Sequence, residues 1–215
     1  MNGQRLEEVD TFKYLGATLS KDGGSTKEIK TRIALATAAM ARLSRIWRGK
    51  TISFSTKFRL YKSLVVSILL YGCESWTLLA DTEKRLQAFE NKCMRKMLQI
   101  SYTEHRTNAD VWNSVTLRVG RQEPLLATVK RRKMAWFGHT IRHNTLSKTI
   151  LQGTVEGSRR QGRPRKSWME NVKEWTNQTM PELLAAAPQR KKWHQMAAAA
   201  ALLPPPRPRR SRDQK

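Results

Sequence analysis

Three stripes of apolar residues at helical spacing dominate the chain between residues 25 and 100, and such faces can be buried only against one another. The first runs Ile29, Ile33, Ala36, Met40, Leu43 and Trp47, alternating four and three apart, and Gly49 closes it. Ser25 and Glu28 precede it as an S-x-x-E capping box, in which each side chain satisfies the other's exposed amide. A second helix is expected from Ser55 to Gly72, with Phe58, Tyr61, Val65 and Ile68 on one face. Leu60, Leu64 and Leu69 widen that face, so burial on more than one side is expected. The third helix begins after Asp81, its cap, and carries Leu86, Phe89, Cys93, Met97 and Ile100. Lys84, Arg85, Lys92, Arg95 and Lys96 project from its other faces. The spacing predicts a helical bundle over residues 25–104.

The flanks read differently. Leu6 to Leu19 mixes Val9, Phe12, Tyr14, Leu15 and Thr18 around Gly16 and stops at Lys21-Asp22-Gly23-Gly24, the pattern of a small β-hairpin over residues 1–24. Beyond residue 105 the periodicity weakens. Asn108 is placed to cap a short helix with Val111, Trp112 and Val115. Pro124 suits the first position of another, on which Leu125, Val129, Lys133 and Trp136 share a face. Lys130, Arg131, Arg132 and Lys133 put a full turn of positive charge around that helix. Thr149 to Val155 reads as a strand and Ser158 to Arg165 as a Gly/Arg/Pro loop. Ser167 with Glu170 forms a second capping box ahead of Trp168, Val172 and Trp175. These make residues 105–193 a less regular, basic, α-rich region, and residues 194–215 an Ala/Pro/Arg tail expected to be disordered. The expected fold class is mainly α, a helical bundle preceded by a β-hairpin.

Composition decides the class of partner. Across 215 residues, 41 Lys plus Arg face 17 Asp plus Glu, a net charge of +24. Residues 1–30 are neutral, with five charges of each sign, whereas 31–117 carry +8, 118–175 carry +10 and the last forty carry +6. That excess favours a polyanion, since each neutralised phosphate releases counterions. The longest apolar run, Leu64 to Tyr71, is too short to span a bilayer. The expectation is a soluble, intracellular protein facing nucleic acid, with no membrane and no small-molecule substrate.

Catalytic chemistry finds little support. The five aspartates stand apart at 10, 22, 81, 110 and 213, whereas two-metal polymerase or nuclease chemistry needs clustered carboxylates. Cys73 and Cys93 lack C-x₂₋₄-C spacing, although with His139 and His143 they offer a nominal zinc set. On its stripe Cys93 behaves as a small hydrophobe. Of the tryptophans, Trp47, Trp168 and Trp175 lie on apolar stripes as core anchors, while Trp76 and Trp136 have polar or basic neighbours and are open to stacking on bases. Arg159, Arg160, Arg163, Arg165 and Lys166 put five charges around Gly162-Arg163-Pro164, a loop suited either to a nucleic-acid backbone or to a solvated surface or import signal.

Four landmarks occur in order: Phe12-Lys13-Tyr14-Leu15-Gly16, Tyr71-Gly72-Cys73-Glu74-Ser75-Trp76, Trp136-Phe137-Gly138-His139 with Arg142, and Gly162-Arg163-Pro164 with Trp168. Together they resemble the C-terminal part of the reverse transcriptases of LINE-type (non-LTR) retrotransposons, most similar to the RTE/BovB-like group, over residues 5–193. The resemblance implies that Phe12, Lys13, Tyr14, Leu15 and Gly16 match the primer grip, and that the helices from Ser25 to Ile100 match a thumb that follows the template–primer duplex. It places the segments around His139 and Arg142 and around Arg163 in the region after the thumb, thought to bind template RNA or target DNA. The family's Asp-Asp palm motif and its endonuclease are not among these residues, nor is the Cys/His knuckle of other LINE groups. The implied protein is a catalytically incomplete C-terminal fragment of an RNA-directed DNA polymerase. It is not itself an enzyme and holds no cofactor, Mg²⁺ belonging to the palm. Its implied partners are an RNA or DNA template–primer duplex or target DNA, in the nucleus or, as a ribonucleoprotein, in the cytoplasm. A product of a decayed element and a domesticated nuclear DNA-binding protein remain open beside it. The expected contacts are the primer-grip residues, Lys92, Arg95 and Lys96, the 130–133 turn, His139, Arg142, and the cations from Arg159 to Lys166.

Overall fold

The computed structural model describes residues 8–153 and 166–202, mainly helical with an N-terminal two-stranded hairpin. The strands β1 (Thr11–Tyr14) and β2 (Ala17–Ser20) pair antiparallel, Phe12 opposite Leu19 and Tyr14 opposite Ala17. The described chain divides into two compact units, one ending at Val129 and one beginning at Lys130.

In the first unit, α1 (Thr26–Arg42) and α2 (Ser44–Arg48) take up the first stripe, broken at Leu43. Ile29, Ala36, Met40 and Trp47 are buried, and the Trp47 indole N–H donates to Met40 O at 2.8 Å. The expected Ser25–Glu28 capping box does not form. Ser25 Oγ accepts from Thr77 N at 2.9 Å, while Glu28 accepts from Thr18 N at 2.7 Å and from Arg32 Nε at 2.5 Å. A buried carboxylate needs a cation and amides around it, and tertiary partners supply both.

The second helix starts earlier than expected, as α3 (Phe54–Leu60) with Ser53 as its N-cap. It widens into a π-helical segment at Tyr61–Val66 and ends as α4 (Ser67–Leu69) before Gly72, which takes a left-handed conformation at φ +65°. Ser63 Oγ and Ser67 Oγ donate back to Arg59 O and Ser63 O, a side-chain competition that bends helices. The wider turn rotates the later side chains, so Tyr61, Val65, Val66, Leu69 and Leu70 are buried. Ile68 is only half-buried, and Leu64, expected to widen the buried face, points outward.

The third helix, α5 (Ala80–Leu98), buries Leu86, Phe89, Cys93 and Met97 as its stripe requires. Asp81 is not its cap. It sits in the first turn and pairs with Arg85 Nε at 2.7 Å, while Thr82 Oγ1 accepts from Leu79 N. Thr107, not Asn108, caps α6 (Asn108–Val119), in a reciprocal box with Asp110. The helix α6 packs on α3 and α5.

The division between units falls inside α7 (Leu125–Arg142). The second unit continues with α8 (Leu146–Gln152), α9 (Trp168–Thr176), α10 (Met180–Ala186) and α11 (Arg190–Leu202). Its core gathers Met134, Phe137, Ile141, Val172, Leu183 and Trp193. The expected strand at Thr149–Val155 is helical up to Gln152, its amides bonding locally, with Lys148 N and Thr149 N both donating to Thr145 O; Thr154 and Val155 lie outside the described residues. The Ser167–Glu170 box does form. The tail expected to be disordered from 194 is helical through Leu202, with Ala197, Ala200 and Ala201 buried beside Trp193 at helical spacing. Residues 203–215 lie outside the described residues. Among the described residues no helix is long and apolar enough to cross a membrane.

Candidate nucleic-acid interface

The hairpin is held by its backbone and leaves the side chains of β1 outside, most of those of β2 being partly covered. Leu15 and Gly16 form a two-residue turn with both φ positive, +47° and +79°, the geometry that matches strand twist. Leucine resists that region, and two contacts hold it there: Tyr71 Oη donates to Leu15 O at 2.7 Å, and the Arg32 guanidinium donates to Gly16 O. Arg32 also lies 4.5 Å from the Tyr71 ring centre. Glu28 completes the clamp: burial pushes its carboxyl up, but Arg32 and Thr18 outweigh that and hold it below the usual range.

With the turn fixed, register places Phe12, Tyr14 and Leu19 on one face and Thr11, Lys13, Thr18 and Ser20 on the other. Phe12 and Tyr14 are 57% and 59% exposed, and Lys13 and Leu15 are exposed as well. The first two landmarks therefore meet in space through Tyr71, which reaches the hairpin turn, while Cys73 and Trp76 are buried. Trp76, read as open to stacking, is a core residue.

The expected cations separate into two groups. Lys92, Arg131, Arg132 and His139 are exposed, and Lys96 is exposed while its Nζ donates to Met40 O at 3.4 Å. Others are committed within their own unit. Arg95 donates to Asn108 Oδ1 at 2.6 Å and to Arg106 O at 2.8 Å, tying down the loop before α6. Arg142 donates to Ala187 O at 2.9 Å, at the end of α10. Lys166 pairs with Glu174 at 2.5 Å. Arg159, Arg160, Arg163 and Arg165 lie outside the described residues.

Lys130 and Lys133 overturn the picture of a full turn of positive charge: they are 1% and 0% exposed. Positions 130 and 133 lie three apart, so both turn to the same, inward side of α7, while 131 and 132 turn outward. Lys133 Nζ donates to Asn171 Oδ1 at 2.9 Å and sits 4.3 Å and 5.3 Å from the Trp168 and Trp175 rings. Burial, with Lys166 adding repulsion, pushes Lys133 down to about 6.

The third landmark is also structural in part. A Cβ on Gly138 would come within 2.2 Å of Trp193 Nε1, whose N–H donates to Met134 O at 2.9 Å. Phe137 stacks on Trp193, and the half-exposed Trp136 meets Trp168 edge-on. Cys73 and Cys93 are both buried thiols, and burial pushes Cys93 up to about 12. The rings of His139 and His143 lie 4.4 Å apart, centre to centre, and are tilted by 43°. Among the described residues no three His, Cys, Asp or Glu side chains converge as a metal set.

What sequence reasoning missed is the clamp. Tyr71 opens the second landmark, yet nothing in the sequence shows it reaching a turn 56 residues away, or Arg32 joining it.

No family model matches the chain, and no solved structure matches it. The chain is related, distantly, to a transposon-derived protein of Caenorhabditis elegans, 27% identical over 138 residues, or 64% of this chain and 49% of that protein. It thus aligns with about half the length of that relative.

Proposed function

We propose that this chain is a catalytically incomplete C-terminal part of a retrotransposon RNA-directed DNA polymerase, and that it binds the backbone and bases of a template–primer or target duplex in the nucleus. The observation that carries the reading is the clamped hairpin: two exposed aromatics and a lysine on a backbone pinned by Tyr71 and Arg32. Aromatic faces stack on bases without sequence preference, and a pinned backbone lowers the ordering cost of that contact. Lys92 and Lys96, exposed on α5, supply backbone contacts, and Arg131 and Arg132 do the same in the second unit. The relation to a transposon-derived protein supports the origin. The role is binding; Mg²⁺-dependent nucleotide addition is assigned to the palm.

Fluorescence anisotropy with a 20-bp RNA–DNA hybrid tests the reading. With about four phosphate contacts, affinity should fall roughly 100-fold between about 50 and 200 mM salt. Phe12→Ala with Tyr14→Ala should weaken binding to single-stranded ends about 10-fold or more, from the roughly 1–3 kcal/mol of each lost stack. Binding that ignores salt, absence of binding at low salt, or a chain without a cooperative melt would overturn it, the last favouring a decayed product.

A further inference from the structure

Between α1 and α5 lies an open groove of about 380 Å³ that the proposed function does not require. Ala34 and Ala88 line it from opposite helices, and Ile33 with the buried Phe89 closes its floor. Lys30, Arg85 and Lys92 stand exposed along its edges. Arg85 is paired with Asp81, whose carboxyl is held below its usual range first by that hydrogen bond and also by the nearby charges of Arg85, Lys30 and Lys84. Lys30, Arg85 and Lys92 set against the Asp81 carboxylate leave the rim net positive around a lining that is mostly hydrocarbon.

That combination narrows the occupant. Both walls are helices whose backbone amides are bonded internally, so an extended strand would find no ladder to join. A sugar–phosphate backbone satisfies the rim but offers little apolar surface to the floor. A third helix satisfies both, because small residues let it approach to about 8–10 Å and its apolar face covers Ile33 and Phe89. Arg85 and Lys92 lie two turns apart, roughly 10.5 Å along α5 at the helical rise, with Lys30 on the other wall. Carboxylates seven residues apart on a ligand helix would meet them.

We propose that this groove docks an acidic amphipathic helix of a protein partner, with two carboxylates two turns apart bordering its apolar face. This goes beyond nucleic-acid binding and stands on different residues, Lys92 excepted.

The probe is a fluorescein-labelled helical peptide of about 18 residues, with leucines on one face and glutamates two turns apart beside them. It is titrated against the full chain at about 150 mM salt. Saturable binding is expected, and a peptide of identical composition but scrambled order should bind at least about 10-fold more weakly. Ala88→Trp, and independently Ala34→Trp, fill the groove from exposed positions and should weaken the designed peptide about 10-fold with the circular dichroism spectrum unchanged. Equal binding of the scrambled peptide marks a non-specific polyanion effect and overturns the proposal. So does undiminished affinity in both tryptophan variants. A 20-bp duplex that displaces the peptide and itself loses affinity in Ala88→Trp overturns it in favour of nucleic acid.

Discussion

Glu90 is buried beside Tyr61 and Cys93, and both its oxygens accept from Leu125 N, at 3.1 and 3.2 Å, where α7 begins. Burial pushes its carboxyl up to about 7, against the pull of the Leu125 amide and of Lys62. A carboxyl whose folded value exceeds its unfolded value of 4.5 binds more protons folded than unfolded between those values. Its contribution to stability is therefore fully present below the unfolded value and is lost as pH rises through about 7. Urea midpoints should fall from pH 5 to about 6, above which Lys133, held at about 6 against an unfolded value of 10.5, works in the opposite sense; Glu90→Gln should flatten the fall while keeping an oxygen for Leu125 N. A slope that survives in the variant would assign the effect elsewhere. Gly138 makes a second prediction at this scale. Glycine to alanine inside a helix ordinarily gains about 1 kcal/mol, but here the new methyl meets the Trp193 indole. Gly138→Ala should instead lose roughly 1–3 kcal/mol from overpacking, visible as a lower melting temperature. The cations of α7 make a third. Removing the charge of Arg131 or Arg132 should reduce the salt slope of nucleic-acid binding by about 1 each, while Lys133→Met should leave the slope unchanged.

At the scale of elements, the hairpin and α11 show where pattern and outcome part. The hairpin's strands were legible from Val9 to Leu19, yet a two-stranded ribbon is marginal alone and here leans on Tyr71 and Arg32. Tyr71→Phe should cost about 0.5–1.5 kcal/mol locally and speed amide exchange across β1 and β2, with the α1 and α5 amides unaffected. In the sequence the alanine run of α11 looks like low complexity, because alanine carries no amphipathic signal. Its buried face appears only once Trp193 docks under Gly138 and aligns Ala197, Ala200 and Ala201 behind it. Ala197→Glu should therefore destabilise the second unit by several kcal/mol, whereas Ala198→Glu, on the exposed side, should be close to neutral in the same thermal melt. The π-helical turn at Tyr61–Val66 belongs to the same lesson: a 3.6-residue period placed Leu64 inside, and one wider turn put it outside.

For the whole molecule, the charge of +24 survives as an argument for a polyanionic partner, but it is smaller at the surface than it looks in the sequence. Lys57, Lys130 and Lys133 are buried, and Arg95, Arg142 and Lys166 hold carbonyls or a carboxylate within their units. The sequence by itself determined the helical class, the leading hairpin, the faces of α1 and α5 and the Ser167–Glu170 cap, because each rests on local spacing. Only the tertiary structure decided which charges reach solvent, where Ser25 and Glu28 spend their hydrogen bonds, and why Tyr71 and Gly138 stand where they do. Those outcomes depend on partners 10 to 59 residues away, and a burial cost or a close approach is settled by whatever side chain folding brings there.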